Sequence, residues 1–437
     1  MPKITVVGAG SVGFTQKLVR DVLGFEELRE SHIALLDIDP ERLDTAYQWC
    51  ERLKEQEHLP ATFSAHTDRR EALEGADYVM CVILANGVEP FENEVNLPFK
   101  YGITQPVGDT LCVGGIFRAL RTIPIMVDIC HDMEQVCPDA WMLNYTNPMH
   151  MVTWACRVAS RIKFLGLCHG VQGTAGEMAG HLGLQYEDVR YWVAGINHMA
   201  WFLRFESAAG EDLYPRLWEA VAGNPECGER SMRWDFARQV GYYMTESDGH
   251  FSEYVPYYRK RPDLLEQWDH PGTFAGGHAM ILHHYQQDWR ETAGQTFRHI
   301  RGEVPIPFGE RSMEYAASII LAMETNRYFR LHGNVLNHGL ISNLPAGCCV
   351  EVPCFVDRLG VHPCAVGDLP PQCAALNLTN VSVHTLAVQA ALEGDREKAF
   401  HAVLYDPLTA AMLSPREIRA MFDELFEANR KFMPQFG

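Results

Sequence analysis

The chain has 437 residues, of which 47% are hydrophobic and 21% charged, and its formal net charge is -19 at pH 7. This composition excludes a disordered or fibrous protein, and the negative charge argues against a nucleic-acid partner, because contact with a phosphate backbone requires positive charge. The 13 scattered cysteines indicate reduced thiols, and neither a secretory leader nor a membrane span is predicted, so we expect a cytoplasmic protein.

Strands and helices are predicted to alternate over about the first 170 residues. Five short apolar runs are each followed by glycine or polar residues, and they are residues 4–7, 32–36, 78–84, 141–143 and 164–167. Such alternation is typical of a parallel sheet covered by helices, whose ligands bind at the carboxyl ends of the strands. The predicted fold is therefore α/β, with a Rossmann-like doubly wound sheet.

The rest of the chain has a different pattern and is predicted to form an α+β second lobe. It contains helical stretches and a region of short strands, at residues 233–243, 268–296, 331–366 and 380–433. Cys348, Cys349 and Cys354 lie in a β-branched run and are interpreted as core. The predicted domains are residues 1–195, which bind a dinucleotide, and residues 196–437, which carry substrate and metal binding and oligomerisation.

A glycine-rich turn is the first candidate functional site. Gly8, Gly10 and Gly13 lie between the first strand and the first helix, and Asp37 ends the second strand. Glycines at this spacing let the backbone approach a pyrophosphate, while the acidic residue can bind a ribose 2′-hydroxyl. The pattern predicts NAD binding. The nearby Arg42 leaves NADP open, and a tight turn without a ligand is the structural alternative.

A cysteine and a histidine form a second candidate site. Cys168 and His198 each follow an apolar run, about 30 residues apart. Two such side chains could share a divalent ion, but spacing alone favours a buried cysteine and a hydrogen-bonded core histidine. Tyr254 belongs to a cluster of tyrosines around residues 246–250, for which spacing again favours a structural role, because a tyrosine acts as a base only beside a cation.

Several ordered motifs together resemble glycoside hydrolase family 4, the NAD-dependent glycosidases, over nearly the full length. The motifs are Gly8-Ala9-Gly10-Ser11, Asp37-Ile38-Asp39, Asn144-Tyr145-Thr146-Asn147-Pro148, Gly166-Leu167-Cys168-His169, Gly195-Ile196-Asn197-His198 and Tyr254-Val255-Pro256-Tyr257-Tyr258. Residues 171–174 and 347–352 are most similar to the α-galactosidase branch. The resemblance thus implies an α-glycosidase, and it extends the nucleotide site from the glycines to Ser11.

The family mechanism, as the resemblance implies it, differs from the two-carboxylate hydrolysis of most glycosidases. Bound NAD+ oxidises the sugar C3 hydroxyl, a base removes the C2 proton, and the leaving group departs from C1. Water then adds at C1 and the ketone is reduced again, with retention of configuration. A divalent metal, Mn2+ in this family, chelates the C2 and C3 oxygens.

The resemblance also assigns roles to individual residues. Cys168 and His198 match the family's metal ligands, and Tyr254 matches the C2 base. Asn147 matches a sugar-binding asparagine. Two further residues match positions beside the substrate: His169 contacts the sugar and assists the leaving group, and Asp109 lies where cofactor and substrate meet.

The residue after His169 separates the branches of the family. It is Ser in typical α-galactosidases, Glu in α-glucosidases and often Gly in uronide-specific members, and this chain has Gly170. Because a glycine could make room for a C6 carboxylate, an α-galacturonidase or α-glucuronidase is the alternative to an α-galactosidase. A simple NAD-dependent 2-hydroxyacid dehydrogenase is an alternative of a different class. The resemblance implies a homodimer or homotetramer.

Overall fold

The computed structural model describes residues 1–224, 227, 230–268 and 277–437. The helical stretch predicted at 268–296 therefore lies partly outside the described residues. In the described part of that stretch, short helices are present, as predicted.

Eleven strands of the described chain form one sheet. Their bounds are β1 Lys3–Val7, β2 His32–Leu36, β3 Thr62–His66, β4 Tyr78–Cys81, β5 Trp141–Asn144, β6 Lys163–Gly166, β7 Val189–Ile196, β8 Met199–Ser207, β9 Phe329–Leu336, β10 Cys349–Asp357 and β11 Gly360–Pro363. The order is β3-β2-β1-β4-β5-β6-β9-β10-β7-β8, and β11 pairs with β10. The first six strands are mutually parallel, and the remainder are antiparallel. The predicted doubly wound sheet is confirmed.

Two details of the sheet differ from the prediction. The strand predicted at 78–84 ends at Cys81, because the Ile83 amide donates to Thr146 Oγ1, at 3.0 Å, instead of joining the ladder. The edge strand β3 was not predicted; it is half exposed and lacks a continuous apolar run.

The helices cover the faces of this sheet and build the second lobe. They are α1 Val12–Leu23, α2 Pro40–Glu57, α3 Arg69–Leu73, α4 Val88–Lys100, α5 Cys112–Val136, α6 Met149–Ala159, α7 Gly170–His181, α8 Tyr214–Ala222, α9 Met232–Val240, α10 Asp248–Tyr254, α11 Pro262–Trp268, α12 Met280–Gln286, α13 Trp289–Thr292, α14 Gly294–Ile300, α15 Ala316–Thr325, α16 Pro371–Glu393, α17 Arg396–Tyr405, α18 Pro407–Met412 and α19 Pro415–Asn429. None of these described helices combines the length and the apolar character needed to cross a membrane.

The main hydrophobic core continues from the first part of the chain into the second. Cys348 and Cys354 are buried in it, and Cys349 is also fully buried, so the interpretation of these three cysteines as core is confirmed. The sheet is continuous as well, because β6 pairs with β9 through Gly166 and Asn334. The predicted domain boundary at residue 195 falls inside β7, so the division into two domains stays a prediction.

The sheet determines where the candidate residues meet. Parallel strands β1, β2, β5 and β6 place their carboxyl ends at one edge, which carries the glycine turn, Asp37, Asn147 and Cys168. The turn between the antiparallel strands β7 and β8 contributes His198. Residues far apart in sequence are thereby brought to one side of the molecule.

Candidate active site

The glycine turn has the geometry of a nucleotide-binding loop. Gly8 has φ +92°, and a Cβ there would lie 3.0 Å from the Val82 backbone, so glycine is required. A Cβ on Gly10 would lie 2.6 Å from Asp37 Oδ2. Above Gly13 an added Cβ meets open space, which leaves the start of α1 accessible to a ligand.

Asp37 is held across this turn by backbone amides. Its Oδ2 accepts from the Gly10 amide at 2.6 Å, and its Oδ1 accepts from the Asp39 amide at 2.9 Å. Each carboxylate oxygen keeps a lone pair for a further donor, such as a ribose hydroxyl. Arg42 lies with its guanidinium over the Trp289 ring and 3.5 Å from Asp39, so it is already engaged by the protein.

The structure brings Cys168 and His198 together. Cys168 Sγ and His198 Nε2 are 3.4 Å apart, and the Gly170 amide donates to the same sulfur at 3.3 Å. Two ligands of one ion at bond lengths of about 2.3 and about 2.0 Å lie roughly 3.5 Å apart when the angle between them is tetrahedral. This separation fits a shared metal ion.

The backbone and the charge state of His198 also fit a metal ligand. His198 has φ +63°, an uncommon conformation for a non-glycine residue that is held by the β7–β8 turn. Burial, together with the charge of His250, lowers the pKa of His198 to about 3, so its imidazole is neutral. Burial raises the pKa of the Cys168 thiol, and the carboxylates of Glu351 and Glu246 add to the effect. Without a cation this cysteine stays protonated.

His250 lies beside this pair, between two carboxylates. Its ring centroid is 4.1 Å from that of His198, its Nδ1 is 2.8 Å from Glu246 Oε2, and its Nε2 is 3.5 Å from Asp109 Oδ1. Burial alone lowers the pKa of His250, but the charges of Glu246 and Asp109 outweigh it and raise the pKa to about 10. His198, Glu246 and His250 offer ligand atoms within 4.8 Å of one another.

The predicted substrate residues Asp109 and Asn147 are in direct contact. Asn147 Nδ2 donates to Asp109 Oδ2 at 3.2 Å, and the Asn147–Pro148 peptide is cis. Burial raises the pKa of Asp109, but His250 reverses this and holds the pKa below its usual range. The contact from Asp109 to His250 joins these residues to the neighbourhood of His198.

The side chain of His169 is directed towards Glu314. Its side chain is half exposed, and its Nδ1 lies 3.4 Å from Oε1 of the buried Glu314. The hydrogen bond to Glu314 raises the pKa of His169 against the effect of burial. Lys17 Nζ lies 3.7 Å from the same Glu314 oxygen. Such a histidine can hold a proton near neutral pH.

Tyr254 is buried at the end of α10. Its hydroxyl donates to the Asn197 carbonyl at 3.0 Å, directly before His198 in the chain. Burial raises the pKa of Tyr254 well above its ordinary value, and the carboxylates of Asp109 and Glu253 add to this. A phenolate at this position therefore requires a nearby cation.

The space beside Gly170 is occupied by Glu246. A Cβ on Gly170 would lie 2.6 Å from Glu246 Cγ and 3.5 Å from Cys168 Sγ. The glutamate side chain therefore packs directly against this glycine.

The sequence is similar to one family along nearly all of its length. Residues 3–184 match the Family 4 glycosyl hydrolase model, and residues 193–409 match the model of the Family 4 glycosyl hydrolase C-terminal domain. The chain belongs to glycosyl hydrolase family 4. The resemblance stated from the sequence motifs is confirmed.

Relatives of this family 4 hydrolase include two named alpha-galactosidases. The one from Rhizobium meliloti is 40% identical, covering 100% of this chain and 90% of that protein, and the one from Bacillus subtilis is 39% identical over 100% of both. An alpha-galacturonidase of Bacillus subtilis is 30% identical over 97% of each chain. A solved 6-phospho-alpha-glucosidase from gut microorganisms, in complex with NAD and Mn2+, has a TM-score of 0.83 at 22% identity and 100% coverage of both chains, which shows a shared fold.

The sequence interpretation assigned no function to three residues that contact the candidate site of this family 4 hydrolase. Glu246 and His250 lie within the tyrosine-rich segment, and Glu314 is distant in sequence from its partner His169. The spacing of four residues between Glu246 and His250 places them together near the start of a helix and was the available signal. Nothing in the sequence connects Glu314 to His169.

The charge of His250 predicts a pH-dependent stability in the metal-free family 4 hydrolase. Its pKa is raised from 6.5 to about 10, so its stabilisation is complete below pH 6.5 and is lost as the pH rises through about 10. We expect His250→Gln to lower the free energy of unfolding by about 3 kcal/mol near pH 6.5. Near pH 10 the same substitution should lower it by much less.

Urea unfolding with a chelator present, at both ends of this range, measures the effect. His283→Gln, which changes an exposed histidine, is the control. A His250→Gln cost that is the same at both pH values would contradict the predicted charge on His250.

Proposed function

We propose that this chain is an α-galactosidase that uses NAD+ and Mn2+. The observation that carries the proposal is the Cys168–His198 pair, 3.4 Å apart, in a chain that is 40% identical to a named alpha-galactosidase over its full length. The proposed substrate is a small α-linked galactoside. The α-galacturonidase alternative is less well supported, because identity is lower and the space beside Gly170 is filled.

The glycine turn fits NAD. Gly8, Gly10, Ser11 and Gly13 would receive the pyrophosphate at the start of α1, and Asp37 would accept hydrogen bonds from the adenosine ribose. The open space above Gly13 and the position of Asp37 across the turn support this assignment. A 2′-phosphate would be repelled by Asp37.

The donor set beside the turn fits a divalent metal. Cys168 and His198 would hold it through a thiolate and a neutral imidazole, and two protein ligands leave coordination positions free for a sugar. When bound, NAD+ supplies the hydride acceptor and donor for C3, and Mn2+ supplies polarisation of the C2 and C3 oxygens.

The remaining roles belong to side chains of the protein. Tyr254 would accept the proton from sugar C2, and the phenolate this requires is favoured by a cation next to His198. His169, kept protonated by Glu314, would donate to the departing oxygen at C1. Asn147 and Asp109, joined by a hydrogen bond, would orient the sugar hydroxyls.

A parallel assay tests the proposed function. Purified protein with NAD+, Mn2+ and a thiol reductant is given nitrophenyl α-galactoside and nitrophenyl α-galacturonide, while nitrophenol and NADH are followed together. We expect nitrophenol from the galactoside without net NADH, because the cofactor is returned to its starting state in each turnover. Accumulating NADH would indicate a dehydrogenase, and nitrophenol from the galacturonide alone would indicate the uronidase.

Asp37 offers a test of the nucleotide site. Asp37→Asn keeps an acceptor for the Gly10 amide but removes the charge, so we expect the NAD+ dissociation constant to rise about tenfold or more. Tryptophan fluorescence during NAD+ titration measures it. Asp44→Asn, on an exposed part of α2, should leave the constant unchanged. Equal affinity of wild type and Asp37→Asn would contradict the assignment.

We further propose a cytoplasmic homodimer or homotetramer. The 13 cysteines of the sequence are consistent with a reducing compartment. Light scattering of the purified protein measures the oligomer, and a monomeric mass would contradict it.

A further inference from the structure

Glu351 is a buried carboxylate beside the proposed metal site. It is 1% exposed, and its Oε1 accepts from Asn334 Nδ2 at 3.2 Å and from Asn197 Nδ2 at 3.5 Å. Within the part of the chain that the structure describes it has no positively charged partner, and the other charge that acts on it is the carboxylate of Glu246. A buried carboxylate with neutral donors only is costly unless a cation lies near it.

One row of the sheet places Glu351 between the two strands that lead to the proposed metal ligands. On β10, Glu351 pairs with Gly195 of β7, which lies shortly before the histidine ligand in the chain. On its other side Glu351 pairs with Asn334 of β9. Asn334 in turn pairs with Gly166 of β6, which lies shortly before the cysteine ligand. The register of four neighbouring strands therefore fixes the carboxylate relative to both ligands.

Asn197 connects Glu351 to the sulfur of Cys168. Burial and the charge of Glu351 raise the pKa of the Cys168 thiol, while a side-chain hydrogen bond from Asn197 lowers it. A primary amide carries two hydrogens on one nitrogen, so Asn197 can donate to both groups. Asn197 also directly precedes His198, and its carbonyl accepts from the hydroxyl of Tyr254 at 3.0 Å. The side chain of Asn197 thus joins the turn that carries His198 to Glu351.

The charge of Glu351 fits a divalent cation at the proposed site. A thiolate and a neutral imidazole would leave one positive charge on a bound divalent ion. Burial raises the pKa of Glu351 to about 7, and a nearby cation would favour the charged form that balances it. Glu246 also acts on the Cys168 thiol but is already paired with His250. Carboxylates behind metal ligands orient those ligands, and their loss typically costs about 10- to 100-fold in metal affinity.

We propose that Glu351 is a positioning residue of the metal site, which holds Asn197 beside the two ligands and supplies negative charge that balances a bound divalent cation. This inference rests on the proposed function for the presence of the metal. It assigns a function to one residue of the segment 347–352, which the sequence interpretation used only as a mark of family resemblance.

Calorimetric titration of Mn2+ into protein loaded with NAD+, with a thiol reductant present, tests the proposal. Glu351→Gln keeps an acceptor oxygen for the two asparagines and removes only the charge. We expect it to raise the Mn2+ dissociation constant about tenfold or more, while the NAD+ dissociation constant changes less than about twofold.

Asp406→Asn is the matched control. Asp406 is also fully buried, and its carboxylate is bonded to neutral donors, the backbone amide and the hydroxyl of Thr409, at the start of α18. Because Asp406 has no hydrogen bond to Asn197, we expect its loss of charge to change the Mn2+ dissociation constant less than about threefold.

Stability in the absence of metal separates a positioning role from a merely structural one. Removal of a buried charge that has no positive partner should not weaken the metal-free protein. We therefore expect the urea midpoint of Glu351→Gln, measured with a chelator, to equal or exceed that of the wild type, although Mn2+ binds more weakly. A lower midpoint, or an unchanged Mn2+ dissociation constant, would overturn the proposal.

Cys168→Ser, measured in parallel, separates this proposal from the metal assignment itself. It should weaken Mn2+ binding whether or not Glu351 has a role. If Cys168→Ser weakens Mn2+ binding and Glu351→Gln does not, only the role of Glu351 is overturned. If Mn2+ does not bind the wild type, the proposed metal site is overturned as well.

A double variant tests the connection through Asn197. Asn197→Ala alone should raise the Mn2+ dissociation constant about tenfold, because it frees the turn that carries His198 from Glu351. Combined with Glu351→Gln, the total effect should be at least about fivefold smaller than the product of the two single effects, because both changes remove the same connection. Effects that multiply fully would contradict a connection through Asn197.

Discussion

Cys168→Ser and His198→Ala are each expected to lower kcat/KM for an α-galactoside at least about a thousand-fold. Each variant removes one of two protein ligands, and the stabilisation that a divalent ion gives to oxygens with developing charge is several kcal/mol. The glycine turn and Asp37 are untouched, so the NAD+ dissociation constant should change less than about twofold. The combination of lost turnover and retained NAD+ binding separates a metal ligand from a general stabilising residue.

Nitrophenol release across a Mn2+ titration, together with calorimetry for Mn2+ and NAD+, measures both properties. Cys364→Ser is the matched control, because Cys364 is half buried like Cys168 but directly follows β11 and is not part of the Cys168–His198 pair. Wild-type turnover in Cys168→Ser or His198→Ala would contradict the assignment of that residue as a metal ligand. A parallel loss of NAD+ binding would point to misfolding.

Tyr254→Phe is expected to slow exchange of the sugar C2 proton by about a hundred-fold or more. The variant keeps the buried ring and removes only the hydroxyl that donates to the Asn197 carbonyl. General-base catalysis by a positioned side chain contributes effects of this size. Because the base is lost while the metal ligands remain, Mn2+ and NAD+ affinities should be retained.

Deuterium incorporation at C2 in heavy water, followed by mass spectrometry, measures the exchange. Tyr258→Phe is the matched control, because Tyr258 is also a buried residue and its hydroxyl is hydrogen bonded, but to Asp235 at 2.7 Å. Exchange at the wild-type rate in Tyr254→Phe would show that another group removes the proton.

Local sequence patterns were sufficient to predict most of the strands and the glycine turn in the first part of the chain. The runs at 32–36 and 141–143 and the glycine turn mark strand and turn positions through β-branched side chains and the conformational freedom of Gly8, which depend on few neighbours. The edge strand β3 escaped prediction because half of it faces solvent and its apolar pattern is weak. Its place in the sheet comes from backbone pairing with β2.

The sequence by itself determined the family and the doubly wound sheet, and its ordered motifs supply the prediction that Cys168, His198 and Tyr254 are site residues. The tertiary structure alone decided that Cys168 and His198 face each other, because the β7–β8 turn and the end of β6 meet only in the folded sheet. The tertiary structure also decided which side chain lies beside Gly170. A glycine in a sequence indicates missing volume, but only the packing of a distant Glu246 into that volume shows whether it is available to a substrate.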